Sequence, residues 1–316
     1  MRLDYVVEAP GRWTAVARPV AEGVVVAFET DTGFDDAQVQ AHVVSALARG
    51  LPLAPSGLNL ARPVHVYANG PSVVNAPLRS PSLALNGAYR LFGDGPDLWA
   101  AVDARACVAD HVAEPKPRTR HLVASKCHPA VFDRLAGQQV FLWHVGDGGA
   151  QALPDGSHVI APGVSVTGTV LGLVYSLGFR EAHIQGWDCC YSDDGRDHAV
   201  AQDHDRSCDI EVRVGARLYR TTQTWAAEVR AGLRYMELVP GLKVHVHGDG
   251  MMAAAMRLLA ARGGLAQVRF LPLLAAPNPH PRPLPLLPAG EAGEREFVNV
   301  FCALDYMLAG APSPMS

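Results

Sequence analysis

Residues 62–72 read Arg62-Pro63-Val64-His65-Val66-Tyr67-Ala68-Asn69-Gly70-Pro71-Ser72, a short and largely apolar run that stops at an asparagine and a glycine. Runs of this kind recur through the middle of the chain, and each stops at a polar residue. Residues 83–85 stop at Asn86, 98–102 at Asp103, 122–124 at Ser125 and 140–143 at His144. Residues 182–185 run into Gly186-Trp187-Asp188, and 244–246 into His247-Gly248-Asp249. Unbroken apolar runs of three to five residues suit strands buried on both faces, as in a parallel sheet.

Helical stripes separate several of these runs. Pro129 suits a first helical position, with Phe132 and Leu135 on one face. Val170, Leu173, Val174 and Leu177 form a stripe closed by Gly178, and Trp225, Val229, Leu233 and Met236 form another. Met252, Ala255, Met256 and Leu259 make a further one, stopped by Gly263-Gly264. This alternation predicts an α/β fold, a Rossmann-like and mostly parallel doubly wound sheet with right-handed crossovers. Residues 1–60 read as a small N-terminal α+β extension. It has a strand at 24–28 and a helix carrying Val39, Val43 and Leu47, capped by Asp35 or Asp36 and ended by Arg49-Gly50. The main domain spans residues 61–275. Residues 276–316 open on the proline-rich APNPHPRPLPLLPAG, read as extended chain, with a terminal helical piece near 297–308.

Composition narrows the function. The 316 residues are 49% hydrophobic and 18% charged, with a formal net charge of −4. A folded chain of this length has a radius of gyration of roughly 20 Å and buries a real core. There is no basic excess for a phosphate backbone, which argues against nucleic-acid binding. No block of like charges marks a polybasic membrane patch. The start, MRLDYVVEAPGRW, lacks the apolar segment of a secretory signal, and the run at 159–179 is broken by Gly, Pro, Ser and Thr, so no membrane span is expected. Six cysteines without a CxxC pair read as reduced thiols, and the expected location is the cytoplasm. Oligomerisation is left open.

Ligands of open α/β sheets bind outside the carboxyl ends of the strands. The polar stops therefore become candidate site residues. In Asn69-Gly70-Pro71-Ser72, Gly70 allows a tight turn and close backbone approach. Asn69 offers a donor and an acceptor, and Ser72 can cap the segment after it or bind a phosphate oxygen. The chain has no Walker A sequence and no GxGxxG. Thr167-Gly168-Thr169 opens the Val170 stripe, where free N–H groups and the positive helix end suit an anion. The stretch Gly186-Trp187-Asp188-Cys189-Cys190-Tyr191-Ser192-Asp193-Asp194-Gly195-Arg196-Asp197-His198-Ala199 ends a strand in an acid, then presents further acids and a histidine. Asp188 is the expected Mg²⁺ ligand, and His198 the expected general base or phosphate ligand. His198, His204 and Cys208 with Asp203 carry zinc-binding side chains, and His245 and His247 share one face of a strand. Their spacing matches no well-defined zinc pattern.

The order NGPS, then TGT, then LGF…IQGWDCCYSDDGRDHA resembles the 6-hydroxymethyl-7,8-dihydropterin pyrophosphokinase-like family over residues 62–260. That family includes the motility accessory factors that glycosylate flagellin with nonulosonic acids, and it is distantly similar to bacterial sialyltransferases. The resemblance implies that Asn69, Gly70, Pro71, Ser72 and Asn86 hold the donor nucleotide. Thr167, Gly168 and Thr169 would hold its phosphate or carboxylate. Asp188 and His198 would be catalytic, with Asp103 and Asp188 on a divalent metal. Ala68 stands where the family more often has glycine. The implied function is a nucleotide-dependent transferase, foremost a glycosyltransferase using a CMP-activated nonulosonate-type sugar and a hydroxyl acceptor. The alternatives are Mg²⁺-dependent diphosphate transfer from ATP to a hydroxymethylpterin-like alcohol, and a non-catalytic nucleotide-binding or scaffold protein.

Overall fold

The computed structural model describes residues 2–9, 12–18, 24–29, 36–145, 151–152, 158–160, 163, 165–201, 209–239 and 241–261. The Gly263-Gly264 stop, the proline-rich stretch, its terminal helix, and Asp203, His204 and Cys208 lie outside them. The chain opens with strands β1 (Arg2–Ala9), β2 (Arg12–Arg18) and β3 (Val24–Glu29), an antiparallel sheet in that order, of which the sequence pattern predicts only β3. Helix α1 (Asp36–Ala48) comes next and buries Val39 and Val43 as their spacing predicts.

The main sheet starts with β4 (Val64–Tyr67), β5 (Ser82–Leu85), β6 (Leu98–Ala101) and β7 (Arg120–Ala124). After α2 (Pro129–Arg134) come β8 (Val140–Val145), β9 (Gln151–Ala152) and β10 (His158–Ile160). Helix α3 (Val166–Leu177) leads to β11 (Glu181–Gln185), the hairpin β12 (Asp209–Val214) and β13 (Arg217–Thr222), helix α4 (Gln223–Leu238), β14 (Lys243–Val246) and α5 (Met251–Ala261). The nine strands run in the order β14-β11-β4-β5-β6-β7-β8-β10-β9, and every neighbour pair is parallel except the terminal β9. The fold is Rossmann-like α/β. No helix among the described residues is long and apolar enough to cross a membrane.

The apolar strand runs are the core. Leu83, Leu85, Trp99, Leu122 and Ile184 are fully buried, each leucine or isoleucine contributing about 1.5–3 kcal/mol. Three connections are 3₁₀ turns rather than α-helices: Pro71–Asn75, Asn86–Leu91 and Ala106–Val112. Pro71, Pro77 and Pro81 punctuate the first connection, and none of the three turns is long enough for a stable α-helix of its own. β8 continues past the polar stop at His144, which is buried with its Nδ1 3.0 Å from Ser125 Oγ. The apolar runs do not reveal the hairpin β12–β13, although Ile210, Val212 and Val214 alternate with Glu211 and Arg213 and only Gly215-Ala216 separates the strands. Residues 51–58 tie to the sheet and α3, through Leu142 N–H to Pro52 O at 2.8 Å and Gly57 N–H to Ser176 O at 2.8 Å.

Burial strongly shifts two of the buried histidines, His121 and His111. His121 packs edge-on to Trp99 with Nε2 3.3 Å from Tyr89 Oη, and burial pushes its pKa down to about 4. His111, also buried, is brought down to about 4 by the same cause, with the Arg90 charge adding to it. Both lie below the unfolded value, so the unfolded chain binds more protons and stability is complete above about pH 6.5. We predict a falling melting temperature between pH 6.5 and pH 4 in a thermal series, with a shallower fall in His121→Gln. An identical slope in that variant would show that His121 is not one of the responsible groups.

Candidate functional site

The chain fills the sheet from β4 outward through β10, then α3 carries it back to β11 on the other side of β4. The strand order therefore reverses between β4 and β11, and a crevice forms outside their carboxyl ends. There the loops after the two strands touch. Ala68 N–H donates to Gln185 O at 2.8 Å, and Gly70 N–H donates to Gly186 O at 2.8 Å. A Cβ on Gly70 would stand 2.4 Å from Gly186 O, and one on Gly186 would stand 2.5 Å from Ala68 O. Gly186 also has φ +72°, a region that disfavours side chains. A cavity of about 280 Å³ opens beside this contact, and Asn69, Gly70, Asn86, Asp103, Thr167, Thr169, Asp188 and His198 all line it. Pro71, Ser72 and Gly168 do not.

Several of these groups are occupied within the protein. Asn69 is buried, and its amide clamps Val200: Nδ2 donates to Val200 O and Oδ1 accepts from Val200 N–H, both at 3.1 Å. Its carbonyl accepts from Ala199 N–H at 2.8 Å. Asn69 thus fixes the backbone immediately after His198. Ser72 turns to Asp188 instead of the cavity, giving its N–H to Oδ2 at 2.8 Å and its hydroxyl to Oδ1 at 2.7 Å. Asp188 is buried, and burial with the nearby Asp249 charge pushes its carboxyl above the ordinary range despite the Ser72 bonds. Asp103 accepts from Arg105 three times, at Oδ1 from the backbone N–H at 2.9 Å and at Oδ2 from Nε at 2.8 Å and Nη2 at 2.5 Å.

Helix α3 begins at Val166, so its cap is Ser165 and not one of the threonines, and Gly168 N–H donates to Ser165 Oγ at 3.3 Å. The Thr169 hydroxyl accepts from Gly163 N–H at 2.8 Å and donates to Ser165 O at 2.9 Å. Thr167 lies in the first turn, facing the cavity at the positive helix end. Asn86 takes φ +45°, and its Oδ1 is buried with no hydrogen-bond partner among the described residues. His198 Nδ1 lies 3.5 Å from Asp197 Oδ1, and the imidazole stands edge-on to Trp225 with centroids 5.8 Å apart.

The strand-end rule does not name four contributors. Lys126, the residue after the Ser125 stop, is buried at the cavity edge. Arg105, two residues past Asp103, supplies a second cation there. Glu228 lies one turn beyond Trp225 on the inward face of α4, and burial raises its carboxyl above the ordinary range. It accepts from Trp187 Nε1 at 2.6 Å and from the Ser165 hydroxyl, joining α4, the loop after β11 and the cap of α3. Trp225 completes the wall beside His198. Extending the rule by one or two residues past each stop finds Lys126 and Arg105. Nothing in the pattern distinguishes Glu228 from a surface acid.

Charge is unequal along the cavity. Lys126 and the first turn of α3, beside the Arg105–Asp103 ion pair, make one part suited to an anion. The part beyond β11 carries His198 with Asp197. Asp188→Ala would leave the Ser72 N–H and hydroxyl without their partner, costing about 2–4 kcal/mol in urea unfolding. Asp188→Asn should cost less, because its amide oxygen still serves the N–H while its NH₂ serves the hydroxyl. Equal losses in the two variants would remove the Ser72 bonds as the cause.

No protein-family model matches the chain, and no curated protein matches it in sequence. The structure is similar to that of a MAf glycosyltransferase from Magnetospirillum magneticum AMB-1, with TM-score 0.53 and 18% identity, covering 77% of this chain and 39% of that one. At that identity the likeness is one of fold, and the chain spans well under half the length of its neighbour.

Proposed function

We propose that the chain is a nucleotide-dependent transferase that moves a nonulosonate-type sugar from a CMP-activated donor to a hydroxyl acceptor. The observation that carries this reading is the cavity at the strand-order reversal, which a cationic end and a histidine–aspartate pair line together. The motif order resembling the motility accessory factors supports it, as does the fold shared with a protein described as a MAf glycosyltransferase.

In this reading Lys126, Arg105 and the first turn of α3 at Thr167 take the phosphate and carboxylate of the donor. The buried Asn86 Oδ1 accepts from the nucleotide. The acceptor oxygen bonds to the anomeric carbon as the bond from that carbon to the CMP phosphate oxygen breaks. The electron pair leaves with CMP, where the cationic end stabilises the developing charge. The acceptor proton passes to His198, oriented by Asp197. Asn69, Gly70 and Thr169 shape the site, and Pro71, Ser72, Gly168 and Asp188 hold its frame.

Diphosphate transfer would require Mg²⁺ on Asp103 and Asp188. These carboxylates do not fit the ion as they are arranged. Arg105 binds both oxygens of the first, and Ser72 binds both oxygens of the second inside the protein.

A thermal-shift screen with CMP, CDP, AMP and ATP, each with and without Mg²⁺, tests the reading. CMP or CDP at about 100 times its Kd should stabilise by roughly 2.7 kcal/mol without metal. Stabilisation by ATP only with Mg²⁺, or by no nucleotide, would overturn it. Lys126→Ala should raise the CMP Kd about 10–100-fold. His198→Ala should lower kcat about 10²–10⁴-fold while changing that Kd little.

A further inference from the structure

A second polar cluster sits on the same sheet, built from residues that do not line the cavity. His65 of β4, His183 of β11 and His245 of β14 are direct register partners across three adjacent parallel strands. Their side chains therefore share one face of the sheet. The rings stack, with centroids 5.2 Å apart for His65 and His183 and 4.5 Å apart for His183 and His245. Glu181 stands two residues before His183 on that face. Its Oε1 lies 3.1 Å from His245 Nε2 and 3.4 Å from His183 Nε2. His183 Nδ1 lies 3.0 Å from Nε2 of His247.

We propose that Glu181, His183 and His245 bind a borderline divalent metal ion of the Zn²⁺ class. Two imidazoles and one carboxylate are the donor types that such an ion prefers, whereas Mg²⁺ prefers oxygen alone. The spacing also fits. Bonds of about 2.0–2.2 Å in a tetrahedral site place ligand atoms about 3.3 Å apart. The three donor atoms here lie within 4.8 Å of one another, with the carboxylate oxygen at 3.1 Å and 3.4 Å from the nitrogens. The His183 and His245 rings lie 11° from parallel, so admitting the ion requires side-chain rotation that turns both in-plane lone pairs onto it.

His247 supplies the outer support. When the Nδ1–H of His183 donates to His247, the Nε2 lone pair of His183 is left facing Glu181 and His245. Burial and the neighbouring imidazoles hold His183 below the ordinary histidine range, in keeping with a neutral donor. The Arg79 charge bears on His65 and His247. Glu181 is 38% exposed and His245 5%, so the ligand set runs from the interior to solvent. Three protein ligands leave a fourth position for water or a small anion.

Co²⁺ titration of the full-length, tag-free, chelator-treated chain tests this, because Co²⁺ in a tetrahedral site absorbs visibly and Zn²⁺ displaces it. One Co²⁺ per chain with tetrahedral absorption, bleached by one equivalent of Zn²⁺, is expected. Glu181→Gln and His183→Gln should each weaken Co²⁺ binding by about tenfold or more, while His128→Gln at the cap of α2 leaves it unchanged. Glu181→Gln is the decisive variant, because its partly exposed side chain keeps its shape. Zn²⁺ should raise the melting temperature of the parent chain but not of this variant. Absence of one-to-one binding, or parent-like affinity in Glu181→Gln, would overturn the site.

Discussion

The contact between Gly70 and Gly186 sets the geometry on which the rest of the cavity depends. A parallel sheet holds neighbouring strands at about 4.8 Å, and loops leaving adjacent strand ends normally diverge. Here the chain does the opposite, with one loop donating a backbone hydrogen bond to the other at 2.8 Å where neither residue has room for a Cβ. That closeness brings Ser72 within reach of Asp188 and Asn69 within reach of Val200. His198 is placed by consequence, because Asn69 grips the two residues after it.

Buried charge is distributed with the same economy. Asp188 and Glu228 are enclosed carboxyls that line the cavity, and each is stitched to groups from other elements. Such groups cost stability when a partner is removed, yet they specify one arrangement of loops. Arg105 and Lys126, by contrast, are cations at the ends of adjacent strands β6 and β7. The cavity is thus lined by charges of both signs, with the acids committed to partners within the protein at Asp103 and Asp188.

The parallel sheet is legible in the sequence because its strands are buried on both faces and so run largely apolar until they stop, with the histidines of β4, β7, β11 and β14 as exceptions. The same rule points to Asn69, Asn86, Asp103 and Asp188, and the chain brings all four to one cavity. What the rule does not carry is direction. Ser72 and Asp188 each look like ligand-binding groups in sequence, and only the three-dimensional approach of their loops turns them toward one another. Ser165 takes the cap of α3 because the helix starts at Val166, which places Thr167 and Thr169 inside it. Glu228 is invisible, since a helix position is read as exposed or buried only relative to the element that covers it. The histidine ladder is half visible: His245 and His247 share a face by alternation, but their partners come from strands far away in sequence.

The reversal of strand order has a kinetic side. β4 pairs with β11, joining residues 64–67 to residues 182–185 across most of the β-rich chain, while β4 through β8 pair largely with their successors. Closing so long a loop is entropically the most demanding pairing in the sheet, and non-local parallel pairing is slow. During synthesis the β4–β10 half emerges before β11, and α4, which carries Trp225 and Glu228 of the cavity wall, emerges later still. Ligand recognition is therefore a property of the completed topology and not of either half, and any molecule that binds there acts as a latch on it.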